Sequence, residues 1–292
     1  MSNTFIDPKL ASGVALGLIK RDILLGRTVT RDVEADFAGK KGDTVTVRRM
    51  QTVAANDFDR QTGIQVDDLD EDGVVVQLNK FPTSAVAVTD EDMTLTITDF
   101  SRQVLQPVTY ALAEWVENLL IDQIQLVASS TALDQIEYDG SNATSVFNAA
   151  RRQLRDAAAP QQGLTAVCGT GVYEAVLNSS RVSTVDASGA SGGLRDGIAG
   201  RLSGFNVIES NLLDPDEVAF YHAQAFALAL RAPVVPDSVV WGSSTSDSGY
   251  AMRLFKHYVA DKKEEQVVAD VLAGVATLTP AFAIRLEGAV SS

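Results

Sequence analysis

The chain has 292 residues, 46% of them hydrophobic and 21% charged, a balance that supports a sizeable core and excludes wholesale disorder. A single cysteine, Cys168, excludes an intrachain disulfide framework and suits a reducing compartment. Two histidines, His222 and His257, leave little for histidine-based metal or acid–base chemistry, and a net charge of −14 argues against gripping nucleic acid through counterion release.

The charge is unevenly spread. Residues 1–50 carry 9 basic and 6 acidic groups, residues 51–100 carry 2 and 11, and residues 101–150 carry 1 and 6. A basic start and an acidic middle can complement each other between neighbouring copies. The apolar stretch 10–19 is too short to cross a membrane, and the long uncharged window 271–284 is broken by Gly274 and Pro280. Nothing ahead of the first window reads as a secretion signal.

A first helix is expected from Pro8, with Asp7 as its cap and Gly26 as its stop, and with Leu10, Val14, Leu18 and Leu25 along one face. Residues 28–41 are polar and have no core face, so the opening segment reads as an arm that packs on something else. From residue 43 the period changes to two. Val45 and Val47, then Val74, Val76 and Leu78, then Val86 and Val88 alternate with polar neighbours. Residues 51–73 between the first two strands are acidic and poor in large apolar groups. Together they describe a long projecting hairpin.

The longest helix follows, from Thr98 or Asp99 to about Ser129, with Val104, Val108, Leu112, Trp115, Leu119 and Leu126 at helical spacing. It either kinks at Pro107 or becomes regular there. About 30 residues would span roughly 45 Å. Residues 145–235 read as mixed α/β: helices at 145–158, 171–177 and 223–230, strands at 164–168, 205–208 and 218–221, and a glycine-rich loop over 183–204. Strands at 250–259, 266–272 and 281–286 close the chain and must pair with something earlier. The fold class is α+β.

Candidate chemistry is sparse. His222 lies between a strand and an Ala-rich segment, where capping of local backbone is its expected role. Cys168 ends an apolar strand as a small hydrophobe. Gly169 and Gly171 offer half of a dinucleotide fingerprint, but Glu174 occupies the third glycine position. Asp68, Asp70, Asp72 and Gly73 match the first half of a calcium loop, with Val75 as its apolar residue. The twelfth position is Asn79, which lacks the bidentate carboxylate, and an acidic turn before a strand explains the same residues. Glu114 and Glu117, three apart on the long helix, are expected to face solvent or a neighbour. No catalytic set and no cofactor is indicated.

Three segments carry a likeness: residues 200–211 (GRLSGFNVIESN), residues 218–233 (VAFYHAQAFALALRAP) and the closing residues 266–286. With the order of elements, they resemble the major capsid (coat) protein of tailed bacteriophages, in particular the coat-protein group typified by podoviruses of enteric bacteria. The resemblance implies the tailed-phage/herpesvirus capsid fold. Its parts here would be an N-terminal arm (1–42), an extended loop (43–80), a peripheral domain (81–144 and 250–292) with a spine helix at about 99–129, and an axial domain (145–249). It implies a structural subunit, not an enzyme, assembled as hexamers and pentamers into an icosahedral shell around double-stranded DNA. A virion location, assembly in the host bacterial cytoplasm, a portal protein and optionally a decoration protein come with it, without sequence-specific DNA binding or a membrane. With no long N-terminal extension, a separate scaffolding protein is expected.

The working site on this reading is the set of subunit contacts: Arg48, Arg49, Phe58, Arg60, Ile64, Asp67, Asp68, Glu114 and Glu117. Residues 51–79 contain no lysine, so covalent cross-linking through the extended loop is not expected. Two other readings stand beside this one. An encapsulin-type compartment shell has the same fold with a protein cargo; an acidic soluble α/β enzyme would need a pocket of convergent titratable groups.

Overall fold

The computed structural model describes residues 8–31, 44–48, 55, 57, 60–61, 63, 73–91, 100–127, 142–178 and 200–287. The chain opens with helix α1 (Pro8–Asp22) and a 3-10 turn (Leu25–Arg27). Strands β1 (Thr44–Arg48), β2 (Gly73–Gln77) and β3 (Thr83–Thr89) follow. A π turn (Ser101–Leu105) leads into helix α2 (Gln106–Gln125). Helix α3 (Ala143–Asp156), strand β4 (Leu164–Cys168) and helix α4 (Thr170–Asn178) come next. The remainder is mostly strand: β5 (Arg201–Leu202), β6 (Phe205–Glu209), β7 (Glu217–His222), β8 (Phe226–Arg231), β9 (Trp241–Asp247), β10 (Tyr250–Val259), β11 (Glu264–Asp270), β12 (Leu272–Thr277) and β13 (Ala283–Glu287).

These strands form four sheets: β1-β2, β3-β11-β10-β9, β12-β8 and β13-β7-β4-β6-β5. The closing strands do return to earlier ones, β11 onto β3 and β13 onto β7, both antiparallel. The five-stranded sheet separates two cores, and the period of two along its strands assigns each residue to a side. Val167, Ala219 and Tyr221 face the core shared with α1, α2 and the four-stranded sheet. Ala166, Cys168, Val218 and Phe220 face the core under α3 and α4. There Phe147, Phe205 and Phe220 pack with ring centroids 4.9–5.9 Å apart. Gly169 belongs to this packing and to no phosphate loop: a Cβ on it would lie 1.9 Å from the Asp214 carbonyl.

Three expectations are corrected. Residues 223–230 are a 3-10 turn and strand β8, not a helix, because Phe226, Leu228 and Leu230 point into the main core while Ala227 and Ala229 point the other way. Strand β9, and the short β5 within the glycine-rich stretch, were not legible. The buried face of α1 is Ala11, Ala15, Leu16 and Ile19, whereas Leu10 and Val14 are exposed; the alanines let the helix lie close against α2, β9 and β10. Of the two outcomes expected at Pro107, the regular spine helix begins there. Pro107 cannot donate a hydrogen bond, so the preceding turn is wound as a π turn and α2 begins with proline in its first turn. Its 20 residues span about 30 Å. Its buried face runs through Val108, Leu112, Val116, Leu120 and Ile124, leaving Trp115 and Leu126 exposed.

Candidate functional site: the hairpin base and the arm root

The hairpin base is built from β1 and β2, paired from Thr44 opposite Gln77 to Arg48 opposite Gly73. Val76 and Leu78 are buried against Ala227, Ala229 and Leu278, with Val47, Val74 and Ala276 at the margin. This third, small core ties the hairpin to the β8-β12 sheet. Two reciprocal backbone bonds fix it further: Lys80 N–H donates to the Ala273 carbonyl at 3.1 Å and Ala273 N–H donates to Lys80 at 2.9 Å. Gly274 permits the approach, since a Cβ there would stand 2.2 Å from the Gln77 carbonyl oxygen.

The arm root comprises α1 and residues 23–31, and it is not an appendage without a core. Ile19, Ile23, Leu25 and Val29 are buried in the main core. Thr30 N–H donates to the Ala223 and Phe226 carbonyls at 3.1 Å, and Leu228 N–H donates to the Thr30 carbonyl at 3.0 Å. The Thr28 and Tyr221 hydroxyls lie 2.6 Å apart. Along α1, Ser12 meets Thr245 at 2.7 Å and Lys20 pairs with Asp247. The arm thereby clamps the edge of the four-stranded sheet.

Glu117 is corrected. It does not face solvent or a neighbouring subunit but is 8% exposed. Its Oε1 accepts the Leu25 N–H at 2.8 Å and the Gly26 N–H at 3.4 Å, satisfying donors at the start of the 3-10 turn. Burial pushes its carboxyl up to about 7, against the opposing effect of these backbone donors. Glu114 is exposed, as expected, and lines a pocket of about 180 Å³ with Leu24, Tyr110, Glu117, Glu209 and Asn211.

Of the other expected contact residues, Arg48 ends β1 opposite Gly73, and Arg60 is exposed. Arg49, Phe58, Ile64, Asp67, Asp68, Asp70 and Asp72 lie outside the described residues. Gly73 and Val75 of the calcium-loop pattern sit in β2, with Val75 exposed. Among the described residues no group of three His, Cys, Asp or Glu could hold a metal ion.

His222 and Cys168 are committed to packing. His222 Nδ1 accepts the Gln224 N–H at 3.2 Å, the capping role expected, and Nε2 lies 2.8 Å from the Gln162 carbonyl. Desolvation lowers its pKa. Cys168 is fully buried and its thiol is pushed far up by that burial. Two buried ion pairs escaped the sequence reading: Arg253 with Asp270, and Arg285 with Glu217, the latter at 2.5 Å. Each joins strands distant in sequence or opposite in register, so spacing carries no sign of them. The carboxylate of each pair is buried and its arginine partly so, and losing the arginine would leave a buried charge uncompensated.

A family model described as phage capsid protein matches residues 71–261. No curated protein sequence matches the chain. Among solved structures, a chain from Mycobacterium phage Che8 is similar over 90% of both chains, with TM-score 0.67 and 19% identity. The capsid of Ralstonia phage GP4 is similar over 91% of this chain and 88% of that one, with TM-score 0.58 and 11% identity. A virus-like particle from Pyrococcus furiosus is similar over 98% and 100%, with TM-score 0.57 and 12% identity. Taken with the rooted hairpin and the spine helix, these findings establish the tailed-phage major capsid protein fold: the chain belongs to the phage capsid protein family and is a structural subunit of a capsid shell.

Proposed function

We propose that this chain assembles as hexamers and pentamers into an icosahedral shell that encloses a double-stranded DNA genome. The observation that carries this reading is the hairpin base: β1 and β2 are paired as far as Arg48 opposite Gly73 and are fixed to the body by a small dedicated core. A hairpin rooted in this way delivers residues 49–72 to an adjacent subunit. Arg48, Arg49, Phe58, Arg60, Ile64, Asp67 and Asp68 are the contact residues, with Glu114 on the spine helix. Obligate contacts of this kind bury roughly 2,000–5,000 Å².

The finer assignments follow the same reading. The arm, extended loop, peripheral and axial regions divide as the capsid fold implies, and the segments at 200–211 and 218–233 favour the podovirus-type coat group. A separate scaffolding protein and a portal protein complete assembly in the host cytoplasm, with room for a decoration protein. A net charge of −14 suits a lining along which packaged DNA slides without being gripped. The protein carries out no catalysis on this reading.

Replacing residues 56–69 by a short Gly/Ser turn tests it. The subunit should stay folded, with little change in melting temperature, yet fail to form closed shells in electron micrographs. Normal shells from this variant would refute the extended-loop assignment. The similarity to the Pyrococcus furiosus virus-like particle over the full length of both chains supports a second reading, a compartment shell with protein cargo. Particles holding DNA and one portal vertex favour the first reading; portal-free particles filled with protein favour the second.

A further inference from the structure

Besides the core burial of Ile23, Leu25 and Val29, three kinds of polar contact hold the arm root to the body. Backbone bonds join Thr30 to Ala223, Phe226 and Leu228. A hydroxyl pair joins Thr28 to Tyr221, whose own ionisation burial moves still higher. The third is the Glu117 carboxylate on α2, which receives the Leu25 and Gly26 amides. The first two do not change charge over the pH range in which proteins are handled. The third does.

The surroundings of Glu117 decide how it responds. From the turn itself the facing cation is Arg27, but its guanidinium donates to the Lys20 carbonyl. Lys20, at the end of α1, is paired with Asp247 of β9. Tyr221 comes from β7 and Tyr250 from β10; Arg31 lies over the Tyr250 ring at 4.5 Å and donates to the Ser248 carbonyl. Glu114, one turn earlier on α2, and Glu209, at the end of β6, line the pocket beside it and add negative charge. A carboxylate in this place is desolvated and has no cation bonded to it among these groups. A neutral carboxylic acid keeps a carbonyl oxygen for the two amides and lacks the desolvated charge.

We propose that Glu117 is a proton-operated clasp on the arm root: protonated, it locks the 3-10 turn to the spine helix, and ionised, it lets the turn go. Residues 28–43 connect this turn to β1 in sequence, so the clasp sits between the subunit's core and its hairpin along the chain. The proton is held up to about pH 7 in the closed turn and at the ordinary glutamate value near 4.5 in a released one. The closed form therefore binds it about 300-fold more tightly, and by linkage the proton favours closure by the same factor. About 30-fold of that is lost between pH 5.5 and pH 8.5.

Hydrogen exchange on the full chain tests this, comparing a peptide covering residues 23–31 with one covering β4 at pH 5.5 and pH 8.5, each corrected for the chemical exchange rate. In the wild type, protection of residues 23–31 relative to β4 should fall about 30-fold at the higher pH. In Glu117→Gln, which keeps the acceptor oxygen and cannot ionise, the ratio should hold within about threefold. A wild-type ratio that does not move between the two pH values overturns the proposal, and this comparison stands even if the variant does not fold. So does an equal loss of protection in the Gln variant.

Discussion

The arm root and the hairpin look alike in sequence and differ in the fold. Each is a segment outside the α/β body with a modest apolar complement, and each reads as something that packs on a neighbour. The arm root instead sinks Ile19, Ile23, Leu25 and Val29 into the main core of its own subunit. Among its described residues, the hairpin is fixed at its base, where Val76 and Leu78 meet Ala227, Ala229 and Leu278 and Lys80 bonds Ala273. The difference lies in what the partner surface offers. A helix with Ala11 and Ala15 on one side can lie flat on α2 and the sheet. Two strands bearing valines on alternate positions can be buried only along the stretch where another sheet covers them.

Substitutions should separate the two regions. The largest effect is expected at Ile23, which is fully buried: Ile23→Ala should cost about 3–4 kcal/mol by loss of transfer energy and cavity formation, read as a lowered midpoint in chemical denaturation of the subunit. A value below about 1 kcal/mol would mean that the arm root is no part of the core. Glu117→Gln comes next and has a sign set by pH. The folded-state pKa of about 7 lies above the ordinary 4.5. Protonation thus supplies stability that is complete below about pH 4.5 and is lost as pH rises through 7. At pH 8.5 the Gln variant should exceed the wild type by up to about 3 kcal/mol, and at pH 4.5 the two should nearly coincide.

At the hairpin base, Gly274→Ala forces backbone apart at the Gln77 carbonyl and should cost about 1–3 kcal/mol. Its more telling readout is the yield of closed shells, which should fall further than the loss in melting temperature predicts, because the hairpin is re-aimed. On the outer side of α1, Leu10→Ala should change subunit stability by less than about 0.5 kcal/mol, as for other exposed positions. The contrast between Ile23 and Leu10 sharpens which face of the first helix belongs to the subunit.

The strand pairing at the hairpin base, the fully buried strand β4 and the capping role of His222 were legible from spacing and composition. The inner face of α1 was not, because the larger side chains Leu10 and Val14 drew the reading to the outer side. Strand β8 was read as a helix because FALALR is apolar throughout and rich in alanine. Its strand period is one of size, large residues to the main core and alanines to the hairpin base, and hydrophobicity alone does not register it. Glu117 was placed by its charge on the surface. What overrides that placement is the pair of amide donors at Leu25 and Gly26, a tertiary meeting across 91 residues of chain that no local spacing encodes. The ion pairs of Arg253 and Arg285 were missed for the same reason.

High-resolution electron microscopy of particles assembled from the full chain tests the central claim most directly. The expected result is a closed icosahedral shell in which α1 lies on α2, β9 and β10 of its own subunit while residues 49–72 cross onto an adjacent one. A purified chain that forms no shell, or a shell whose residues 49–72 fold back onto their own subunit, would contradict it.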